Sequence, residues 1–200
     1  MNELYLLRHG ATEWNRLGRY AGHTDLPLDI KELHRLSGAK DRLKGISFSN
    51  VYCSDMRRTG ETLGEVRPDL SGSVILDARL RELHFGLWEG KTYDVLKTDR
   101  VYTQWLADPR RQSPPGGEAM SALEDRVRSF IQEELRSNAE SSDDRGPVLI
   151  ISHGGPIRVL ITQLLTGRSF WDIDLPCGCL YLLRMDLNSL IRLDSRSTAT

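Results

Sequence analysis

The chain has 200 residues, 39% of them hydrophobic, and its 27 lysines and arginines stand against 28 aspartates and glutamates for a net charge of -1. That length supports one domain with a sizeable core, and near-neutrality without a run of like charge excludes a protein held to nucleic acid or to anionic lipid by its overall field. Any charge selectivity must be local.

The apolar stretch Leu4 to Leu7 is too short for a signal-peptide core or a membrane span, and Arg8 and His9 follow it at once. A soluble cytoplasmic protein is expected. The same stretch, like Val148 to Ile151, has the length and composition of a strand buried on both faces. Val51 to Cys53 and Val74 to Leu76 are shorter strand candidates, and Leu180 to Met185 and Leu190 to Leu193 follow near the end. From Met120 the apolar positions Leu123, Val127, Phe130, Ile131 and Leu135 recur at helical spacing opposite charged residues, which predicts a helix with one wet face. Ile157 to Leu165 is apolar almost all round, as in a helix packed deeply on a sheet. Strands alternating with helices give an α/β sandwich. Two segments read as loops: Asp108 to Glu118, rich in Pro and Gly and long enough to reach over a site, and Asn138 to Pro147, with the composition of a solvated connection. Cys53, Cys177 and Cys179 match no zinc framework and are read as reduced structural thiols.

The chemistry concentrates where strands end. Leu6-Leu7-Arg8-His9-Gly10 and Ile150-Ile151-Ser152-His153-Gly154-Gly155 each place His-Gly directly after an apolar strand. If those strands are neighbours, the two imidazoles face one crevice at the carboxyl ends of a parallel sheet. A lone His-Gly is more often a satisfied histidine at a turn; the pair reverses those odds. A helix starting near Gly155 and Pro156 adds unpaired N–H groups beside His153, where an anion is stabilised. A third strand runs into Ser54-Asp55-Met56-Arg57-Arg58, with Ser54 or Asp55 suited to cap the next helix. Adjacent helical residues point about 100° apart, so only one of Arg57 and Arg58 easily aims at the crevice. Arginine forks bind a phosphate dianion through paired charged hydrogen bonds, and Arg8 is the other candidate. Glu82 and Glu89 lie in Leu80-Arg81-Glu82-Leu83-His84-Phe85-Gly86-Leu87-Trp88-Glu89, where apolar surroundings would keep a carboxyl protonated and ready to act as an acid. Residue chemistry does not choose between the two.

Taken together, these residues resemble the histidine phosphatase superfamily, the phosphoglycerate mutase-like proteins. Arg8-His9-Gly10-Ala11-Thr12-Glu13-Trp14-Asn15 looks like that family's signature, and Gly22-His23-Thr24-Asp25-Leu26-Pro27-Leu28 follows in the expected order. The resemblance implies a three-layer α/β/α sandwich with a mostly parallel sheet. It also implies His9 as nucleophile, Arg8, Arg58 and His153 in the phosphate pocket and Glu82 as acid and base, with Asn15, Ala21, Gly22, Thr24 and Gly154 near the substrate. Ala11, Asp55 and Glu61 depart from the pattern, and the last two add negative charge near Arg58. The short region after Glu82, with Trp88, Trp105 and the Pro-Gly loop, looks like the small phosphatases of this family, including α-ribazole phosphatases and broad-specificity phosphatases, with α-ribazole 5'-phosphate the favoured single substrate. Trp88 and Trp105 are weighed as an apolar wall for the leaving group against plain core. No cofactor or metal is expected, because the five histidines show no His-x-His or His-Glu-x-x-His spacing. A cofactor-dependent phosphoglycerate mutase and a non-catalytic phosphate-binding regulatory protein are the alternatives, and monomer and homodimer both stay open.

Overall fold

The computed structural model describes residues 3–136 and 146–194. Its frame is a six-stranded sheet in the order β3-β2-β4-β1-β5-β6. The strands are β1 (Glu3–Arg8), β2 (Asn50–Cys53), β3 (Ile75–Leu76), β4 (Val148–Ser152), β5 (Leu180–Arg184) and β6 (Ser189–Arg192). The first four run parallel, β5 pairs antiparallel with β1, and β6 turns back on β5. β1 and β4 are neighbours in a register that sets Arg8 opposite Ser152. The two His-Gly sequences therefore leave the sheet side by side, at the carboxyl edge where parallel sheets hold ligands.

Alternation along the strands sorts the core into two clusters, as a sheet covered on both faces requires. Leu4, Leu6, Tyr52, Val148 and Ile150 pack against α6 (Met120–Phe130) and α7 (Gly154–Leu164), while Leu7, Val51, Cys53, Leu149 and Ile151 face α2 (Ser37–Leu43) and α3 (Arg57–Val66). Short helices α1 (Glu13–Arg16), α4 (Tyr93–Leu96) and α5 (Arg100–Ala107) complete the set. The helix expected from Met120 changes to a π-turn over Ile131–Arg136, although Ile131 and Leu135 stay buried as the pattern requires.

α7 begins at Gly154, within one residue of the start expected near Gly155 and Pro156. Some expectations need correction. β3 is only two residues long and exposed on both, a lateral edge rather than a core strand. Trp88 and Trp105 do not form a substrate wall: both are buried, packed edge to face at 5.3 Å with Tyr102 beside them. The 108–118 loop is pinned rather than free, since Leu87 N–H donates to the Pro115 carbonyl (2.9 Å) and Glu118 N–H to that of His84 (2.8 Å). The connection expected over 138–147 lies, up to residue 145, outside the described residues. No helix among the described residues is long and apolar enough to cross a membrane.

Candidate active site

His9 and His153 are both buried, with ring centroids 4.9 Å apart. His9 Nδ1 lies 2.6 Å from the carbonyl oxygen of its neighbour Gly10. A carbonyl only accepts, so the proton sits on Nδ1 and the lone pair is on Nε2. Burial, and then the charges of Arg58 and Arg8, hold its pKa well below the usual histidine value. The ring is thus neutral, with a bare nitrogen. Gly10 is fixed in turn, because its N–H donates to Thr62 Oγ1 (2.9 Å) and that hydroxyl donates to the Arg58 carbonyl (2.6 Å).

Arg58 is fully buried on the first turn of α3. Its Nη2 donates to the Gly22 carbonyl (2.7 Å), Nη1 to that of Thr24 (3.0 Å), and Nε to His153 Nδ1 (3.3 Å). An arginine is only a donor, so His153 accepts at Nδ1 and carries its proton on Nε2, which donates to Ser54 Oγ (2.9 Å). His153, too, is held well below the usual pKa, by burial and then by His9 and the arginines. Arg57 instead turns outward to Glu61 (2.6 Å). The negative charges feared near Arg58 are spent elsewhere: Glu61 on Arg57 and the Leu28 N–H (2.7 Å), Asp55 on Arg81 (2.5 Å). Neither Ser54 nor Asp55 caps α3. The cap at Arg57 N–H comes from Asp25 (2.8 Å), a loop residue that nothing in the local sequence marks.

The segment 20–24 is held at the site by the Glu89 carboxylate, whereas the Glu82 carboxylate is held elsewhere. Glu89 accepts from the His23 N–H (2.8 Å), the Thr24 N–H (2.7 Å) and the Thr24 hydroxyl. Burial alone would raise the Glu89 carboxyl, but these hydrogen bonds outweigh it and hold the pKa below the ordinary value. Glu89 is therefore an ionised clamp. Glu82 is buried at the strand edge and accepts from Gly155 N–H with both oxygens (3.1 and 3.2 Å) and from Leu83 N–H (2.9 Å). Its surroundings are not the apolar ones the sequence promises: they are the α7 N-terminus and nearby guanidinium groups, and one helix N–H expected to be open to an anion is already taken. A β-carbon at Gly155 would displace this carboxyl from its present position. Arg126 braces the Glu82 segment from behind, donating to the Glu82 carbonyl (3.0 Å) while paired with Glu118 (2.7 Å).

Arg8 donates through Nη1 to the Leu175 carbonyl, and its Nε is buried without a partner among the described residues. Asn15 forms a capping box with Thr12, whose N–H and hydroxyl both reach its Oδ1 at 2.9 Å, which leaves the Asn15 amide nitrogen unpartnered among the described residues. Gly22 and Thr24 serve Arg58 through their carbonyls; Ala21 makes no hydrogen bond among the described residues. Gly154 leaves room beside Arg8, Glu82 and Arg158. Arg126, Arg158, Asp25, Thr62 and the clamp role of Glu89 escape sequence reasoning, since each matters through a partner far away in the chain. Among the described residues, no three His, Cys, Asp or Glu side chains are arranged to hold a metal ion.

The contrast between the adjacent arginines is directly testable. Arg58→Ala should lower kcat/KM for a phosphomonoester by at least about 100-fold, because a buried charge-assisted network is lost. Arg57→Ala should stay within about threefold, as befits an exposed ion pair. The reverse order in steady-state kinetics would contradict the assignment.

The model of the histidine phosphatase superfamily, branch 1, matches residues 4–193. The adenosylcobalamin/α-ribazole phosphatase of Escherichia coli is 30% identical over 180 residues, 88% of this chain and 86% of that protein. The probable phosphoglycerate mutase GpmB of Serratia proteamaculans is 34% identical over 99% of this chain and 87% of its own length. The crystal structure of the α-ribazole phosphatase from Shigella flexneri superposes with a TM-score of 0.84 at 29% identity, covering 99% of this chain and 98% of that one. The chain belongs to the histidine phosphatase superfamily and is an enzyme acting on phosphate monoesters.

Proposed function

We propose that this chain is a single-domain, metal-independent phosphomonoesterase in which His9 takes the phosphoryl group and passes it to water. The observation that carries the reading is the His9 ring: neutral, proton fixed on Nδ1, Nε2 bare beside two arginines. Nε2 attacks phosphorus as the bond to the leaving oxygen breaks, and Glu82 supplies that oxygen with a proton. The two remaining N–H groups of Arg58, the free edge of Arg8 and the Asn15 amide are donors for the phosphoryl oxygens, while His153 keeps Arg58 in place. Glu82, now a carboxylate, takes a proton from water as that water attacks the phosphohistidine. Inorganic phosphate leaves and the lone pair returns to Nε2. Fixed donors aimed at the developing charge supply most of the acceleration.

Hydrolysis rather than phosphoryl transfer between positions of one substrate is supported by the short region directly after Glu82, which runs through Trp88 and Trp105 to the Pro-Gly loop. The α-ribazole phosphatases among the relatives and structural neighbours support α-ribazole 5'-phosphate as the substrate to try first. A small phosphorylated metabolite in a reducing cytoplasm fits the three unpaired cysteines.

Phosphate release from a panel of α-ribazole 5'-phosphate, the phosphoglycerates and an aryl phosphate, with and without a strong chelator, tests the reading. Turnover unchanged by chelator and abolished in His9→Ala is expected. Movement of phosphate between the two phosphoglycerates without release would make the chain a mutase, loss of activity on chelation a metalloenzyme, and no turnover with tight vanadate binding a phosphate-binding protein.

Glu82→Gln should slow an alkyl phosphate by about 100-fold or more, the usual contribution of a positioned general acid, and slow p-nitrophenyl phosphate far less. Glu89→Gln, which loosens the hold on His23 and Thr24, should depress both substrates alike. A leaving-group dependence that follows Glu89 would reassign the acid.

A further inference from the structure

Arg158 plays no part in the mechanism above, yet it stands within the site. It lies one turn along α7 from Gly154, and helical side chains lean toward the N-terminus of their own helix, so its guanidinium is directed back to the sheet edge. A β-carbon on Gly154 would sit 3.1 Å from Arg158 Nη1, 3.5 Å from Glu82 Oε2 and 3.6 Å from Arg8 Cζ. Two guanidinium groups and the carboxyl thus meet around a residue that has no side chain to separate them. Arg158 is held in this pose, with Nε donating to the Ile173 carbonyl (3.1 Å) and the Phe170 ring 5.7 Å from its guanidinium carbon. Its two terminal nitrogens have no hydrogen-bond partner, and it forms no ion pair, among the described residues.

On structural grounds this is a poor place for a cation. The helix N-terminus presents the positive end of its dipole, and Arg8 adds a like charge. Burial, and then Arg8, lower the Arg158 pKa against the pull of Glu82. A surface arginine would swing its fork to water or to a carboxylate, whereas this one is tethered with its fork open. The side it occupies is informative. In-line displacement puts the leaving oxygen opposite His9 and next to Glu82, and Arg158 Nη1 and Glu82 Oε2 both border the space that Gly154 leaves open.

We propose that Arg158 is a specificity residue whose open fork grips an acceptor oxygen on the alcohol half of the substrate, close to the ester carbon. The proposal rests on the phosphatase reading. The oxygen belongs either to a carboxylate or to a sugar, and the arms of the test separate these sources. Wild type, R158M and R158K are assayed with phenyl phosphate, which has no such acceptor, with phosphoserine and 3-phosphoglycerate, and with a nucleoside 5'-monophosphate. Melting temperatures are recorded alongside, because the Ile173 tether is lost.

For whichever acceptor-bearing substrate the wild type prefers, R158M should lower kcat/KM about tenfold or more, chiefly through KM, the size expected of a lost charge-assisted hydrogen bond. Phenyl phosphate should stay within about threefold. R158K should restore much of the loss for a carboxylate, which needs the charge, and little for a sugar, which needs the fork. If R158M does not fold, R158Q, which removes the charge and keeps a polar side chain, takes its place, and an unchanged ratio of the acceptor-bearing to the phenyl substrate in it overturns the proposal. Equal losses on all substrates also overturn it, placing Arg158 on the phosphoryl group or on Glu82, as does no loss on any. Wild-type enzyme inert toward every substrate would sink the phosphatase reading itself, a result distinct from either.

Discussion

A single hydrogen bond, from His9 Nδ1–H to the carbonyl of Gly10, decides what the rest of the site can do. It selects the tautomer, fixes the ring and leaves Nε2 as the only nitrogen with a lone pair. Burial adds the second condition by keeping the ring neutral below the pH at which an exposed histidine charges. The bond depends on the placement of Gly10, which Thr62 holds from α3. Thr62 also bonds the Arg58 carbonyl, so one hydroxyl ties His9 to Arg58, the residues proposed as nucleophile and phosphate ligand.

Arg58 illustrates the electrostatic strategy. A fully buried guanidinium is costly unless paired, yet no carboxylate pairs with it among the described residues. Two backbone carbonyls and a neutral imidazole hold it in place, which satisfies part of its donor set without cancelling its charge. The carbonyls are in place because Glu89 clamps the 23–24 backbone, and the stretch carrying Glu89 is laced to Tyr20 through the Gly90 N–H (2.9 Å) and backed by the aromatic cluster of Trp88, Tyr102 and Trp105. Core packing at Trp88 is therefore linked, through Glu89 and Thr24, to the orientation of the arginine proposed to meet the phosphate. An arriving anion completes a charge arrangement that the protein leaves unfinished.

Much of this was legible in the sequence where local pattern and local chemistry coincide. The two apolar strands ending in His-Gly imply a shared crevice on the condition that they are neighbours, and β1 and β4 meet that condition. The helical periodicity after Met120 marked the buried face of α6. What failed was whatever depended on a distant partner. Asp55 has the composition of a helix cap but finds Arg81, and the cap comes from Asp25 in a loop that no rule of spacing connects to α3. The apolar neighbours of Glu82 in the chain turn toward the core, so its carboxyl meets the α7 N-terminus instead. Trp88 and Trp105 could serve as wall or core from sequence, core being the commoner outcome, and packing places both in the core. Arg158 stayed hidden because its position matters only through the space that Gly154 leaves open.

The isomer of the phosphoenzyme tests the central claim most directly. Enzyme quenched during turnover, digested under alkaline conditions and examined by 31P NMR and mass spectrometry should carry phosphate on the Nε2 of His9. Phosphate on Nδ1, on His153, or on no histidine at all would contradict the tautomer on which this account is built.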